Sequence, residues 1–169
     1  RLGRGHQVSL IGIDLGTSGI RVSAFNEDGE ELGTASRTLA LQRRPGGTAE
    51  LDGAQILTLS ENALLEVVGM SPVQRDPVTA ISFSVLGEAV VPVDAEGRAL
   101  TQVPISMDER GADSAVRTDL TLGAKSIQET TGQPLHGMFS IYKIAGGDDS
   151  WRSAKVRQYR TMGEFVACR

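Results

Sequence analysis

The sequence predicts an α/β fold in which a mixed β-sheet is flanked by helices. An almost continuous apolar run over residues 8–13 is typical of a strand that is buried on both faces. Residues 20–24 alternate apolar and polar side chains, which predicts a second strand. Apolar residues at helical spacing follow Asp52, and they predict a helix that packs on the sheet. Further strand patterns after this helix indicate a sheet with both strand directions.

The first three strands are predicted to form a β-meander. The first strand ends at Asp14 and turns through Gly16 and Gly19 into the second. Residues 26–29 then close a hairpin into a third strand, predicted from about residue 31 to residue 41. Because glycine adopts backbone conformations that are closed to other residues, the two glycines are expected to let the N–H groups of the first turn converge on an anion.

A helix is predicted between Asp52 and Gly69. Asp52 suits the N-cap, Gln55 stands in the capping-box position, and Gly69 ends the helix. One stripe of this helix carries apolar side chains, which predicts that this face packs on the sheet. The stripe consists of Ile56, Leu59, Ala63, Leu64 and Val67.

The second half of the chain adds strands and polar helices. Pro72 and Pro77 are expected to bracket a loop into a strand over residues 78–85. A second hairpin is predicted to close over residues 94–97, and Pro92 in its first arm predicts an edge or bulged strand. The remainder of the chain is polar with a helical pattern. Its predicted breaks lie at Gly123, Gly132 and Gly137.

The turn after the first strand has the composition of a phosphate and metal site. Asp14 stands where the strand ends, so its carboxylate is rigidly held, and Mg²⁺ prefers oxygen ligands and retains several waters. The hydroxyls of Thr17 and Ser18 add donors for an anion. The alternative is a plain β-hairpin turn with a solvated Asp14, because short glycine motifs also occur without any ligand.

Several segments, taken in order, resemble one family. The first strand with its turn (IGIDLGTSGIR, residues 11–21) and the hairpin that follows resemble the opening of the actin-like ATPase superfamily. The later segments are similar to motifs of the FGGY carbohydrate kinases, although Thr48 and Ser106 stand where that family usually has Trp. These segments are PGGTAELD (45–52), AISFSVLGE (80–88), PISMDERG (104–111), and TGQP (131–134) followed by MFS (138–140) and Lys143. The resemblance covers about residues 8 to 144.

The resemblance implies the amino-terminal lobe of an FGGY-type kinase with the ribonuclease H-like fold of the actin-like ATPases, apparently incomplete. The implied activity is transfer of the γ-phosphoryl group of ATP to a hydroxyl of a sugar, sugar acid or polyol. The implied cofactors are ATP and Mg²⁺, with Asp14 as the metal ligand. The residues implied to bind the cofactor are Asp14, Gly16, Thr17, Ser18 and Arg21. The family's catalytic base and adenosine motif would lie downstream, so no catalytic residue is expected in this chain.

Three charged residues are implied to bind the sugar, namely Glu88, Asp108 and Arg110. Carboxylates and guanidinium groups accept from and donate to vicinal hydroxyls, and they need fixed positions in a cleft that excludes water. Glu88 follows the strand over residues 78–85, which is expected to be buried. The alternative for residues 108–110 is the start of a helix, where acidic residues favour the positive end of the helix dipole. The particular sugar stays open at this point.

The resemblance also divides the chain. Residues 1–7 are expected to be a disordered lead and residues 8–169 the kinase lobe. The chain is expected to be a fragment, a truncated product or a degenerate copy, inactive alone, with the sugar and the missing carboxy-terminal part of the kinase as partners. A homo-oligomer is compatible with this expectation. Two alternatives remain: a non-catalytic binding or assembly module, and another actin-like ATPase without a sugar substrate.

Composition argues against several classes of protein. The net charge of −4 argues against a nucleic-acid surface, which is normally basic. Cys168 is the single cysteine, so an intrachain disulfide and a cysteine zinc site are excluded, and a reducing cytoplasm is the expected location. No apolar run approaches the roughly 18 residues of a membrane span, so no membrane partner is expected.

Overall fold

The computed structural model describes residues 8–169, so the predicted lead over residues 1–7 lies outside the described residues. The strands in chain order are β1 (Ser9–Leu15), β2 (Gly19–Phe25), β3 (Glu31–Thr38), β4 (Gln42–Arg44), β5 (Thr48–Leu51), β6 (Val78–Val85), β7 (Val90–Val93), β8 (Val103–Pro104) and β9 (Gln158–Thr161). The helices are α1 (Gly53–Val68), α2 (Ser71–Gln74), α3 (Ala112–Leu122), α4 (Ala124–Thr131), α5 (Ser140–Gly146) and α6 (Met162–Ala167). Two 3₁₀ turns cover Glu109–Gly111 and Asp149–Arg152.

The main sheet has the strand order β3-β2-β1-β6. Strands β1, β2 and β3 pair antiparallel in succession, which confirms the predicted β-meander, although β3 ends at Thr38 and not at residue 41. Strand β6 pairs with β1 in the parallel direction. The sheet therefore has both strand directions, as the sequence predicts.

Strand β1 is buried on one face only, so the prediction that both faces are buried is wrong. Ile11, Ile13 and Leu15 belong to the apolar core that the sheet forms with α1. Leu10 and Asp14 point to the opposite face of the sheet and are exposed. The apolar run is nearly continuous because Leu10 is apolar although it lies on the face that meets solvent.

Strand β6 is also exposed, and the prediction of a buried strand before Glu88 is wrong for this chain. Its pattern is apolar, yet Ile81 is 47% exposed and Val78 and Val85 are exposed as well. The reason is its position: among residues 8–169, β6 is the edge strand of the sheet and pairs with β1 alone, while α1 packs against β2 and β3. An apolar edge strand of this kind can pair with a further strand.

Helix α1 confirms the predicted boundaries. The Asp52 side chain accepts a hydrogen bond from the Gln55 N–H at 3.0 Å, and Gly69 caps the carboxyl end. Ile56, Ala63 and Val67 are buried against the sheet, whereas two further members of the predicted stripe are only partly buried. These two are Leu59 and Leu64.

The segment around Pro72 is helical, so the predicted loop between Pro72 and Pro77 is only partly present. Pro72 lies in the first turn of α2, where proline loses no hydrogen bond because the first N–H groups of a helix have no partner. Glycines with positive φ end α3 and α4, at Gly123 (φ 81°) and Gly132 (φ 72°). These two predicted breaks are confirmed, and Gly137 lies in the loop before α5.

The predicted second hairpin has its turn but not its second strand. The Asp94 N–H donates to the Arg98 carbonyl at 3.1 Å and closes the turn, while the returning arm is reduced to a bridge between Val93 and Ala99. Strand β7 pairs instead with β9, far along the chain. Pro92 lies in this two-stranded sheet, which agrees with the predicted edge strand.

The parallel pairing of β1 and β6 positions the site. Parallel strands present their carboxyl ends at the same edge of a sheet, and the Leu86 N–H donates to the Leu15 carbonyl at 2.9 Å just beyond the paired residues. The turn after Asp14 and the turn that carries Glu88 therefore leave the sheet at one edge. In parallel α/β sheets this edge is where ligands bind.

Candidate functional site

The turn between β1 and β2 is a tight hairpin with Thr17 and Ser18 at its tip. The Gly16 N–H donates to the Gly19 carbonyl at 2.9 Å. Neither glycine has a positive φ, so the prediction that they supply unusual backbone conformations is wrong. Gly19 is required for another reason, since a Cβ atom there would lie 2.6 Å from the Arg37 carbonyl oxygen on β3.

Asp14 lies at the end of β1, between Arg21 on β2 and Ser84 on β6 in the strand register. Paired residues share a face of the sheet, and all three are exposed. Within residues 8–169, no ion pair joins Asp14 to Arg21. The face therefore offers a carboxylate, a guanidinium group and a hydroxyl to a ligand.

The hairpin tip adds backbone donors. In the part of the chain that the structure describes, the N–H groups of Thr17 and Ser18 donate to no protein acceptor. Free N–H groups beside hydroxyls suit phosphate oxygens. Over the same described residues, no group of three or more His, Cys, Asp and Glu side chains is arranged to hold a metal. Asp14 is a single carboxylate, and Mg²⁺ is commonly bound through one or two carboxylates together with waters and phosphate oxygens.

Glu88 lies in the turn between β6 and β7, and α5 binds both its carboxylate and its backbone carbonyl. Its Oε2 atom accepts a hydrogen bond from the Ser140 N–H at 2.6 Å. Its backbone carbonyl accepts a hydrogen bond from the Lys143 Nζ. The φ angle of Glu88 is 60°, a backbone conformation that residues other than glycine rarely adopt.

Asp108 is buried behind Arg110, and its side chain is 0% exposed. Its Oδ2 accepts from the Ala49 N–H at 2.8 Å, and its Oδ1 accepts from the Arg110 Nε at 2.6 Å. Burial favours the neutral acid, but the hydrogen bonds from Arg110 and Ala49 outweigh it and hold the pKa of Asp108 below its usual value.

The alternative expectation for these residues, a helix start, is confirmed. Asp108 caps the 3₁₀ turn over Glu109–Gly111 by accepting from the Arg110 N–H at 3.1 Å, and α3 follows at once. This capping role and a place in a ligand site do not exclude each other, because the same carboxylate also fixes the Arg110 guanidinium. In this geometry Asp108 faces Arg110 and a backbone amide, not solvent.

Arg110 reaches the surface between two carboxylates. Its Nε and NH2 groups bind Asp108, its NH2 also binds Glu50, and its guanidinium lies 5.5 Å from the centroid of the Trp151 ring. Burial would lower the pKa of Arg110, but its hydrogen bonds to the two carboxylates raise it above the usual value. The side chain remains 21% exposed, so this fixed cation can meet a ligand.

Lys143 lies beside Glu88, Asp108 and Arg110 and is 0% exposed. Burial lowers its pKa from 10.5 to about 8, while the charges of Glu88 and Asp108 oppose that change and the charge of Arg110 adds to it. The predicted residues Glu88, Asp108 and Arg110 are therefore brought together around one buried amine. We call the following residues the charged cluster: Glu50, Glu88, Asp108, Arg110 and Lys143.

Three residues of this neighbourhood were missed as site residues at the level of sequence, namely Glu50, Lys143 and Trp151. Lys143 could have been identified from the sequence, because a single lysine stands among apolar residues of a short helix (SIYKIAG). A lysine is almost never fully buried unless it is paired with another group. Glu50 carried no such signal, since its partner Arg110 lies 60 residues further along the chain.

A known protein family matches most of this chain. The sequence profile of the FGGY family of carbohydrate kinases, N-terminal domain, matches residues 9–159. The chain belongs to the FGGY family of carbohydrate kinases. This membership confirms the resemblance that the sequence segments indicated.

The curated FGGY relatives are longer than this chain. Gluconokinase from Bacillus subtilis (strain 168) is 24% identical over 159 residues, which are 93% of this chain and 31% of the relative. Xylulose kinase from the same organism is 27% identical over 135 residues, 80% of this chain and 27% of the relative. The chain thus spans about a third of the length of the FGGY kinases that it matches.

Solved FGGY kinases share the fold. The crystal structure of xylulose kinase from Rhodospirillum rubrum superposes with a TM-score of 0.86 at 18% identity, over 94% of this chain and 33% of the other. The predicted fold class, a lobe of the actin-like ATPase fold with a mixed sheet flanked by helices, is confirmed. Among the helices of the described residues, none combines the length and the apolar character that crossing a bilayer requires.

Proposed function

We propose that this chain supplies the sugar-binding part and part of the nucleotide-binding part of an ATP-dependent carbohydrate kinase. The reaction is transfer of the γ-phosphoryl group of ATP to a hydroxyl of a sugar, sugar acid or polyol. One observation carries the proposal: the turn after Asp14 and the turn bearing Glu88 leave the sheet at the same edge, because β1 and β6 are parallel neighbours. Phosphoryl transfer depends on holding two substrates side by side, and this edge offers groups suited to each.

The nucleotide phosphates are assigned to the β1–β2 hairpin. The free N–H groups and hydroxyls of Thr17 and Ser18 donate to phosphate oxygens, and Gly16 keeps the turn tight. Arg21 adds positive charge on the same face as Asp14. Asp14 holds Mg²⁺ directly or through water. A Mg²⁺ ion held there would neutralise part of the phosphate charge.

The sugar is assigned to Glu88 and Arg110, with Asp108 behind them. The exposed part of the Arg110 guanidinium donates to sugar hydroxyls. Glu88 uses Oε2 to accept from Ser140, which leaves Oε1 for a hydroxyl of the substrate. Asp108 acts by orienting Arg110, since both of its oxygens are engaged by Arg110 and the Ala49 amide. Opposite charges at fixed positions suit a polyol, because each hydroxyl can both donate and accept.

The catalytic base and the adenosine pocket are not assigned to residues 8–169. General-base help alone is worth roughly 100- to 10,000-fold in rate, so the chain by itself should give no measurable sugar phosphate. In the proposal the rest of the active site comes from a further part of the kinase, in line with relatives about three times as long. Closure of two lobes would then exclude water from the reacting groups.

The proposal is tested by titrating the ¹⁵N-labelled chain with D-gluconate, D-xylulose and glycerol. At least one sugar should shift the signals of Glu88, Arg110 and the Trp151 indole, and Arg110→Gln should abolish the shift. Arg157→Gln, at an exposed position outside the charged cluster, is the matched control and should leave the titration unchanged. The sugar site is refuted if none of the three compounds shifts these signals at high concentration. Incubation with Mg²⁺, labelled ATP and the same sugars should yield no sugar phosphate.

A further inference from the structure

Glu88 is held in an unfavourable backbone conformation. Among the described residues it is the one residue other than glycine with a positive φ, at 60°. The cost arises because the Cβ atom approaches the backbone in this conformation. Such strain persists only where the surroundings impose it, and it is often found at functional sites.

Helix α5 binds both the carboxylate and the backbone carbonyl of Glu88, but through different donors. The Ser140 N–H holds the carboxylate through Oε2 at 2.6 Å, and the Lys143 Nζ holds the backbone carbonyl. The Ser140 bond leaves the backbone free to rotate, because it reaches only the end of a flexible side chain. The Lys143 bond acts on the peptide unit itself, so it constrains the backbone of Glu88 directly.

Burying Lys143 in this space costs free energy. Its side chain is 0% exposed, and within residues 8–169 it forms no ion pair with a carboxylate. Burying an amine costs free energy that a methionine of similar length would not cost. A lysine here is therefore a poor choice for stability, and the one hydrogen bond that its amine forms with residues 8–169 ends on the Glu88 carbonyl.

We propose that Lys143 is a positioning residue that sets the backbone conformation of Glu88 and thereby aims the free Oε1 atom of Glu88 at the sugar. This inference rests on the proposed function, since it assumes that Glu88 binds the substrate. It adds a role for a residue that touches no substrate. The specific consequence is that Lys143 and Ser140 control different parts of Glu88 and can be separated by substitution.

Two variants test separately the contact to the Glu88 backbone and the contact to its carboxylate. Lys143→Met removes the donor to the Glu88 carbonyl and keeps the volume. Ser140→Pro removes the donor to the carboxylate, and proline is tolerated there because Ser140 is the first residue of α5 and Phe139 before it is extended (φ −71°, ψ 141°). Lys155→Met, an exposed lysine, is the matched control.

The first measurement uses the labelled chain without any sugar. A positive φ brings the amide proton close to the α-proton of the same residue, so Glu88 should show an unusually strong intraresidue NOE between them. This NOE should persist in Ser140→Pro and Lys155→Met and disappear in Lys143→Met. If Lys143→Met keeps the NOE while its spectrum shows an intact fold, the inference is wrong.

The second measurement is the sugar titration, which separates this inference from the proposed function. Loss of the aimed carboxylate should weaken sugar binding in Lys143→Met roughly tenfold, and Lys155→Met should match the wild type. Unchanged affinity in Lys143→Met, together with loss of the NOE, would overturn the positioning role. If no sugar binds the wild type, the proposed function fails, and the NOE still decides whether Lys143 sets the conformation of Glu88.

Discussion

Arg110 lies over Trp151, with its guanidinium carbon 5.5 Å from the centroid of the indole ring. This contact joins the charged cluster to the 3₁₀ turn over Asp149–Arg152. The Tyr159 ring stacks on the Trp151 ring, and the two ring centroids lie 6.4 Å apart. A planar guanidinium can bind two carboxylates and stack on an indole at once, whereas an ammonium group cannot. Arg110 is therefore the residue on which the geometry of the cluster depends.

Replacing Arg110 with lysine should lower the free energy of unfolding by about 1 to 3 kcal/mol. The buried carboxylates of Asp108 and Glu50 would lose charged hydrogen bonds that a lysine cannot replace. Urea unfolding followed by tryptophan fluorescence measures the change. Arg157→Lys keeps the same chemistry at an exposed position and should unfold like the wild type; an equal loss in both variants would contradict the role assigned to Arg110.

Asp14→Asn should abolish metal-dependent nucleotide binding at the hairpin, because an amide is a weak ligand for Mg²⁺. With Mn²⁺ and ATP, paramagnetic broadening should reach the amide signals of residues 14–18 in the wild type and vanish in Asp14→Asn. Asp28→Asn is the control, since Asp28 is exposed in the turn between β2 and β3. Similar broadening in the wild type and Asp14→Asn would argue against this metal site.

Glu88→Gln and Asp108→Asn should both weaken sugar binding, each by about 1 to 3 kcal/mol, because partner groups lose a charged acceptor. The two variants should differ in stability. Asp108 is buried and bound to Arg110, so Asp108→Asn should also destabilise the fold, whereas Glu88→Gln should change it little. Paired measurements of sugar affinity and urea unfolding test this difference, and nucleotide binding should stay unchanged in both. A matching loss of nucleotide affinity would mean that these residues serve another ligand.

The pKa of Lys143 predicts a pH-dependent stability difference. Burial lowers this pKa from 10.5 to about 8. Between these two values the unfolded lysine binds a proton that the folded one does not, so this side chain makes folding more favourable as the pH rises through the window. The stability gain of Lys143→Met over the wild type should therefore be largest below pH 8 and shrink toward pH 10.5. Lys155→Met should show no such trend in urea unfolding.

The exposed edge strand β6 should make the isolated chain self-associate. Ile81 is 47% exposed on a strand that, in the part of the chain that the structure describes, pairs only with β1, and an open apolar edge can pair with a second copy. Sedimentation velocity should show concentration-dependent association that Ile81→Lys reduces. Leu120→Lys is the matched control, because Leu120 is 82% exposed and belongs to helix α3, not to the sheet. Equal effects of the two substitutions would point to nonspecific apolar contacts.

Local features of the fold could be predicted from the sequence alone. Helix α1 begins after Asp52 and stops at Gly69, because capping and glycine termination depend on neighbouring residues. The β-meander and the turn after Asp14 also follow from short-range patterns. The family segments carried Glu88, Asp108 and Arg110, but they did not reveal what holds these side chains.

Only the tertiary structure decided the contacts between distant parts of the chain. Lys143 binds a carbonyl 55 residues away, and Arg110 binds Glu50 across 60 residues. No local pattern encodes such pairs, because they depend on how separate elements pack. The same holds for burial: the apolar pattern of β6 predicts a buried strand, yet its edge position leaves it exposed. Composition determines which residues can be buried, and only packing against a neighbour determines which ones are.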